Sequence, residues 1–250
     1  MTTFGTPHRH VAQCGSTNDL AREWARDPNA PAPSGALVTA DFQTRGRGQR
    51  GRQWQARWGQ SALMSLVYHL PPKSDAGQLG LVVALAVADA VASLTGLAPR
   101  LKWPNDILLE GHKVAGILVE IAPAAPNAGG GGEGSGVGKA ILGIGVNINQ
   151  ERFDDSEGFA YPPTSLYLAT GRTLEVGRVA AAVSSALSQR EQIWRQDGFA
   201  PILEECRKRL AAGVTVRRGE QEAELVGLAS SGAAQVRSAD GTFADWSTVD

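Results

Sequence analysis

Cysteine is nearly missing from this 250-residue chain: Cys14 and Cys206 are the only two. Two thiols cannot build a disulfide framework, so the expectation is a pair of reduced cysteines in a cytoplasmic protein, with no metal site. An excess of charge is missing too. The 24 Lys+Arg stand against 25 Asp+Glu, a formal net charge of -1. That excludes nucleic-acid binding by bulk charge, though not by a local basic patch. No apolar segment follows the N-terminus MTTFGTPHRHVAQCGST, so no signal peptide is expected. The best membrane candidate is Leu79 to Ala98, yet Asp89 stands at its middle, where a charge costs about 3 kcal/mol. Alanines at 84, 86, 88, 90 and 92 suit close packing on a sheet, so this run is expected to be a core helix. What is present, 42% hydrophobic and 20% charged residues, is ordinary globular composition and excludes disorder throughout.

Ser16 with Asp19 three residues on approximates a capping box for a short helix carrying Leu20 and Trp24. Ala36–Ala40, Ser61–Leu70, Lys113–Ala122 and Ala140–Ile148 read as strands, the last two paired. Arg100–Trp103 and Ile107–Leu109 read as short strand pieces interrupted by Pro104, with a turn at Glu110-Gly111-His112. The glycine tract 123–138 cannot bury enough apolar surface to order itself and lacks the Lys-Ser/Thr ending of a phosphate loop. Helical spacing returns over Val176–Arg195 and Phe199–Leu210. Four short strand-like runs then fill residues 213–250, which predicts a small β module after a first unit spanning 1–212.

Chemistry concentrates in four segments. Gln43 to Trp54 holds Arg45, Arg47, Arg50 and Arg52, three glycines and no acid. Glycine lets the backbone approach an anion, and arginine offers a planar donor fork for carboxylate or phosphate. Trp54 supplies a face for a base or a guanidinium. A nucleotide site, a solvated loop and an RNA-binding patch all fit this composition. Lys102-Trp103-Pro104-Asn105-Asp106 sets two polar side chains just past a strand end, which an Asx turn would also explain. Lys113 opens an apolar strand, either as a solvated edge charge or as a cation aimed into a pocket. Gly116 within that strand marks a close approach of ligand or backbone. Gly145 and Asn147 punctuate the partner strand in the same way.

In order and spacing, these segments resemble biotin protein ligases. The shared pattern is Ser16-Thr17-Asn18 at a helix start, the loop Gly46-Arg47-Gly48-Gln49-Arg50-Gly51-Arg52-Gln53-Trp54, Lys102 to Asp106, Lys113 to Glu120, and Gly143 to Asn147. Thr164-Ser165-Leu166 and the C-terminal β module extend it. One departure is Gln49, where the family often has arginine; glutamine keeps a hydrogen-bond donor without the charge. Ser16 comes too early to leave room for a preceding helix-turn-helix, so DNA repression is not expected.

The resemblance implies an α/β catalytic domain of the class II synthetase and biotin/lipoate ligase type: a mixed, largely antiparallel sheet backed by helices, with an SH3-like C-terminal barrel. It implies activation of biotin by ATP with Mg²⁺ as biotinyl-5′-AMP, then transfer to a lysine of a biotin carboxyl carrier protein, by a monomer or homodimer. Ser16, Thr17, Asn18 and Gln43 would hold biotin. Arg47, Gly48 and Gln49 would lie along its carboxylate and the α-phosphate, Lys113 in the reaction line, and Gly116 would leave space for the biotin chain. Arg45, Arg50, Arg52, Trp54, Asn105 and Asn147 would hold the nucleotide, with Asp106 orienting the incoming amine or taking its proton. The rivals are a lipoate ligase and a noncatalytic nucleic-acid-binding protein.

Overall fold

A computed structural model describes residues 2–71, 75–122, 138–153 and 161–248. The glycine tract over 123–137 lies outside the described residues. The strands are β1 (His8–Cys14), β2 (Leu37–Gln43), β3 (Ser61–His69), β4 (Arg100–Lys102), β5 (Asp106–Leu109), β6 (His112–Ala122) and β7 (Lys139–Asn147). They form one sheet in the order β1-β2-β3-β7-β6-β5-β4. Only β1 and β2 run parallel; every other neighbour is antiparallel. This is the expected mixed α/β architecture. The expected pairing of β6 with β7 is present, with Gly116 opposite Gly145. The sequence reading missed β1, whose mostly exposed side chains carry no apolar alternation.

β3 is buried along all but its last residue. One face meets the helix α1 (Thr17–Arg26); the other meets α4 (Val176–Asp197), which packs in turn on α2 (Ala76–Thr95). A strand covered on both faces needs an unbroken apolar run, which SALMSLVYH nearly provides. Ser61 and Ser65 interrupt it, and both are fully buried.

The apolar run around Asp89 is α2. Asp75 caps it by accepting from the Gly77 and Gln78 N–H groups, and Gly96 closes it at φ +76°. Val82, Val83, Leu85, Val87 and Val91 are fully buried, each stabilising by roughly 1.5–3 kcal/mol relative to exposure. Asp89 is reconciled with this burial by Arg190 Nε at 2.6 Å and Arg209 Nη1 at 2.7 Å. The carboxylate thereby ties α2 to α4 and to α5 (Ala200–Arg209), as expected of a core helix.

The expected capping box does not form. Ser16 has extended backbone at the N-cap of α1 but makes no side-chain cap bond. Asp19 is drawn away by two arginines described below. The helix start at Thr164-Ser165-Leu166 does form: Ser165 accepts from the Leu168 N–H at the head of α3 (Leu166–Thr170).

The C-terminal strands β8 (Thr215–Arg218), β9 (Gln221–Leu228), β10 (Ala234–Arg237) and β11 (Phe243–Trp246) make a second, antiparallel sheet. Its buried Val216, Leu225, Val236 and Trp246 are continuous with the core around α2. Trp103 Nε1 donates to the Gly232 carbonyl at 2.9 Å, joining the end of β4 to the turn between β9 and β10.

Candidate functional site

On the α1 side of the sheet a cavity of about 150 Å³ opens between the N-terminus of α1, the loop after β2, and strands β5 to β7. Of the residues singled out in the sequence, Ser16, Thr17, Asn18, Gln43, Arg47, Gly48, Gln49, Arg52, Trp54, Asn105, Asp106, Lys113, Gly116 and Asn147 line it. Arg45 and Arg50 do not; both side chains are exposed outside it. Arg45 lies against Gly15, and Arg50 sits at φ +58° in the single helical turn Gln49–Gly51.

The arginine loop folds back as a hairpin. Arg47 bridges to Gln53, Gly48 N–H donates to the Arg52 carbonyl at 2.7 Å, and Trp54 N–H donates to the Gly46 carbonyl at 3.0 Å. A side chain at Gly46 would collide with the Trp54 carbonyl, so the hairpin requires glycine there. The fold-back lays the Trp54 indole on the paired glycines of β6 and β7. A Cβ at Gly145 would come within 2.5 Å of the indole, and one at Gly116 within 2.9 Å. The space above Gly116, expected to take a ligand chain, therefore holds Trp54.

Along β7, Gly143 lies beneath Asn18, Gly145 beneath Trp54, and Asn147 beyond it. Trp54 thus stands as a wall between two ends of the cavity. At the first end the Thr17 N–H and hydroxyl meet Gln43 Oε1 at 2.7 and 3.0 Å. Ser65 lies 2.8 Å from the Thr17 hydroxyl and 2.5 Å from Asn18 Oδ1. Asn18 Nδ2 donates to Glu120 Oε2 at 2.7 Å.

Arg47 belongs to a square of charges at this end. Asp19 Oδ1 accepts from Arg47 at 2.6 Å and Arg22 at 2.7 Å; Glu120 Oε2 accepts from Arg22 at 2.7 Å and Arg47 at 3.1 Å. Partial burial pushes the Asp19 carboxyl up, but the bonds from Arg47 and Arg22 outweigh it and hold the group below its ordinary value. The same partial burial pushes the Arg47 guanidinium down, and Asp19 and Glu120 outweigh it to raise it.

At the other end Lys113 Nζ lies 2.6 Å from Asp106 Oδ1, with Lys102 Nζ 3.6 Å from Asp106 Oδ2. Burial lowers the Lys102 ammonium, against the pull of Asp106. Lys102 also stands 5.2 Å over the Tyr161 ring. Asn105 and Asn147 brace this floor: Asn105 Nδ2 donates to the Ile117 carbonyl and Asn147 Nδ2 to the Thr164 carbonyl, each at 3.0 Å. Gln150 donates to Asn147 Oδ1 at 3.2 Å. Both amides, expected to hold the nucleotide, are thus held in place by the protein's own polar groups.

Sequence reasoning missed Ser65, Glu120, Asp19 and Tyr161. Ser65 and Glu120 left a signal, as a lone hydroxyl and a lone carboxylate inside apolar strands. Such groups need a buried partner, and here they have one.

A family model described as the Biotin/lipoate A/B protein ligase family matches residues 11–130. A Biotin--[acetyl-CoA-carboxylase] ligase of Paracoccus denitrificans is 35% identical over 238 residues, covering 91% of this chain and 92% of that protein. The Bifunctional ligase/repressor BirA of Bacillus spizizenii is 35% identical over 188 residues, 75% of this chain. The chain matches only 54% of that relative's length. Among solved structures, a biotin protein ligase from Aquifex aeolicus in complex with biotin and ATP superposes with a TM-score of 0.80 at 26% identity, over 98% of each chain.

Proposed function

Because this chain belongs to the biotin protein ligase family, we propose that it activates biotin with ATP and transfers it to a lysine of a biotin carboxyl carrier protein in the cytoplasm. The observation that carries this reading is the Trp54 wall on Gly116 and Gly145. It parts a cavity into an amide- and hydroxyl-rich end and an end floored by Asn105 and Asn147, with a cation at each. Thr17, Asn18 and Gln43 suit a ureido group, which both donates and accepts hydrogen bonds. A dithiolane ring offers those groups no donor and only weak acceptors in exchange for the bonds they make with one another, which favours biotin over lipoate.

In the first step a biotin carboxylate oxygen attacks the α-phosphorus of ATP. The bond to the bridging oxygen breaks and pyrophosphate leaves. Bringing two like unit charges to 4 Å costs about 4 kcal/mol at an effective dielectric near 20. Arg47 and Lys113 are placed to offset that repulsion from the two sides of the wall, and Arg52 to meet the departing pyrophosphate. Asp106 is the only carboxylate among the described lining residues and is paired with Lys113. The lining therefore suits phosphate rather than metal, and Mg²⁺ would enter with ATP as part of the substrate.

In the second step the carrier amine attacks the acyl carbon, the acyl–phosphate C–O bond breaks, and AMP leaves. Asp106 fixes Lys113 and orients the incoming amine. The repressor activity in the Bacillus relative's name is not carried over. The deciding experiment is exchange of labelled pyrophosphate into ATP. Exchange that requires biotin and ignores lipoate is expected; exchange driven by lipoate, or none, would overturn the reading.

A further inference from the structure

The transfer step requires a folded protein to deliver a lysine to the cavity mouth, so the surface around that mouth must meet it. Phe42 is the next-to-last residue of β2, at the end of the strand that reaches the cavity. Its neighbour Gln43 lines the cavity, as does Gln55, three residues before Trp58. The Phe42 and Trp58 rings stack with centroids 5.7 Å apart and planes at 19°. Trp58 is nonetheless 55% exposed. The Gly59 N–H donates to the Asp41 carbonyl at 3.0 Å and pins the segment to β2.

An exposed indole held by stacking has little side-chain freedom left to lose, and such residues make the strongest anchors at protein interfaces. The segment that carries Trp58 is basic. Thr44 to Arg57 contains five arginines and no acid. Arg47 and Arg52 line the cavity, while Arg45 and Arg50 are exposed outside it. An exposed aromatic stack in an arginine-rich segment complements an acidic protein surface with an apolar side chain near its centre.

We infer that the Phe42–Trp58 stack and the arginine-rich segment dock the carrier protein that receives the acyl group. The inference rests on the ligase reading and deepens it. The experiment compares Trp58→Ser and Trp58→Phe in the full chain, assaying biotin-dependent pyrophosphate exchange and transfer to a purified carrier domain. The serine variant is expected to keep exchange within about twofold while its KM for carrier rises on the order of tenfold; the phenylalanine variant restores most of that KM. Raising salt should raise the wild-type KM for carrier more steeply than it slows exchange, whose charges meet inside the cavity.

An unchanged carrier KM in Trp58→Ser would overturn the inference. So would a parallel loss of exchange, which would place Trp58 in the small-molecule site or the fold. A dimer that becomes monomeric with carrier use intact would assign the stack to a second copy, and competition by an RNA oligonucleotide would assign the arginine-rich segment to nucleic acid. Failure of biotin-dependent exchange in the wild type is a separate result and strikes the ligase reading itself.

Discussion

Lys113 carries the sharpest test at the scale of single residues. Its ammonium lies 2.6 Å from Asp106 and, in the proposed reaction, would meet charge that grows as the carboxylate closes on phosphorus. Lys113→Ala should abolish biotin-dependent exchange while lowering stability by no more than about 1 kcal/mol; normal exchange would remove it from the reaction. Ser65 acts through Thr17 and Asn18. Ser65→Ala strands one buried partner, so the KM for biotin should rise about fivefold to a hundredfold, following the roughly 1–3 kcal/mol of an unmade hydrogen bond. The KM for ATP should stay unchanged, which a general loss of folding would not give. Asp19 reads out in pH. A carboxyl held low in the folded chain adds stability above its ordinary value of 3.8 and loses it as pH falls through the lower folded value. Tm titrated into acid should therefore fall more steeply in the wild type than in Asp19→Asn.

Between elements, the β6–β7 pair sets the site from beneath. Gly145→Ala would put a methyl group within 2.5 Å of the Trp54 indole. The expected outcome is a severe loss of adenylate formation, measured by exchange, with the circular dichroism of the sheet intact. This pair also shows how far the sequence could be read. Glycines, arginines and a tryptophan at fixed spacing mark close approach and anion affinity, so the residues of the cavity were legible. The direction of Trp54 was not, because it depends on a hairpin closed between Arg47 and Gln53. The capping box at Ser16 failed for the same kind of reason: Asp19 could satisfy a local helix end, but Arg47, distant in sequence, offers a charged partner. β1 escaped notice because an edge strand with polar side chains has no pattern to read; its partner is chosen by the backbone of β2. Asn105 and Asn147 were found as polar residues at strand ends, but not that the backbone would claim their amides.

Across the whole molecule, the two sheets share one apolar core through α2 and α5. Removing residues 213–250 would take Val216, Leu225 and Trp246 out of that core and expose the apolar residues left behind. A chain ending at residue 212 is therefore expected to aggregate or to melt far below the full chain, and calorimetry of the full chain should give a single cooperative transition. Two separate transitions would show the C-terminal sheet folding on its own. The bond from Trp103 to the Gly232 carbonyl gives this union a chemical side. Two residues after Trp103 the backbone begins to deliver Asn105 and Asp106 to the cavity, so the tail of the protein serves as a rear mount for the proposed reaction centre. Changes made there, out of reach of every reactant, would retune the grip on ATP.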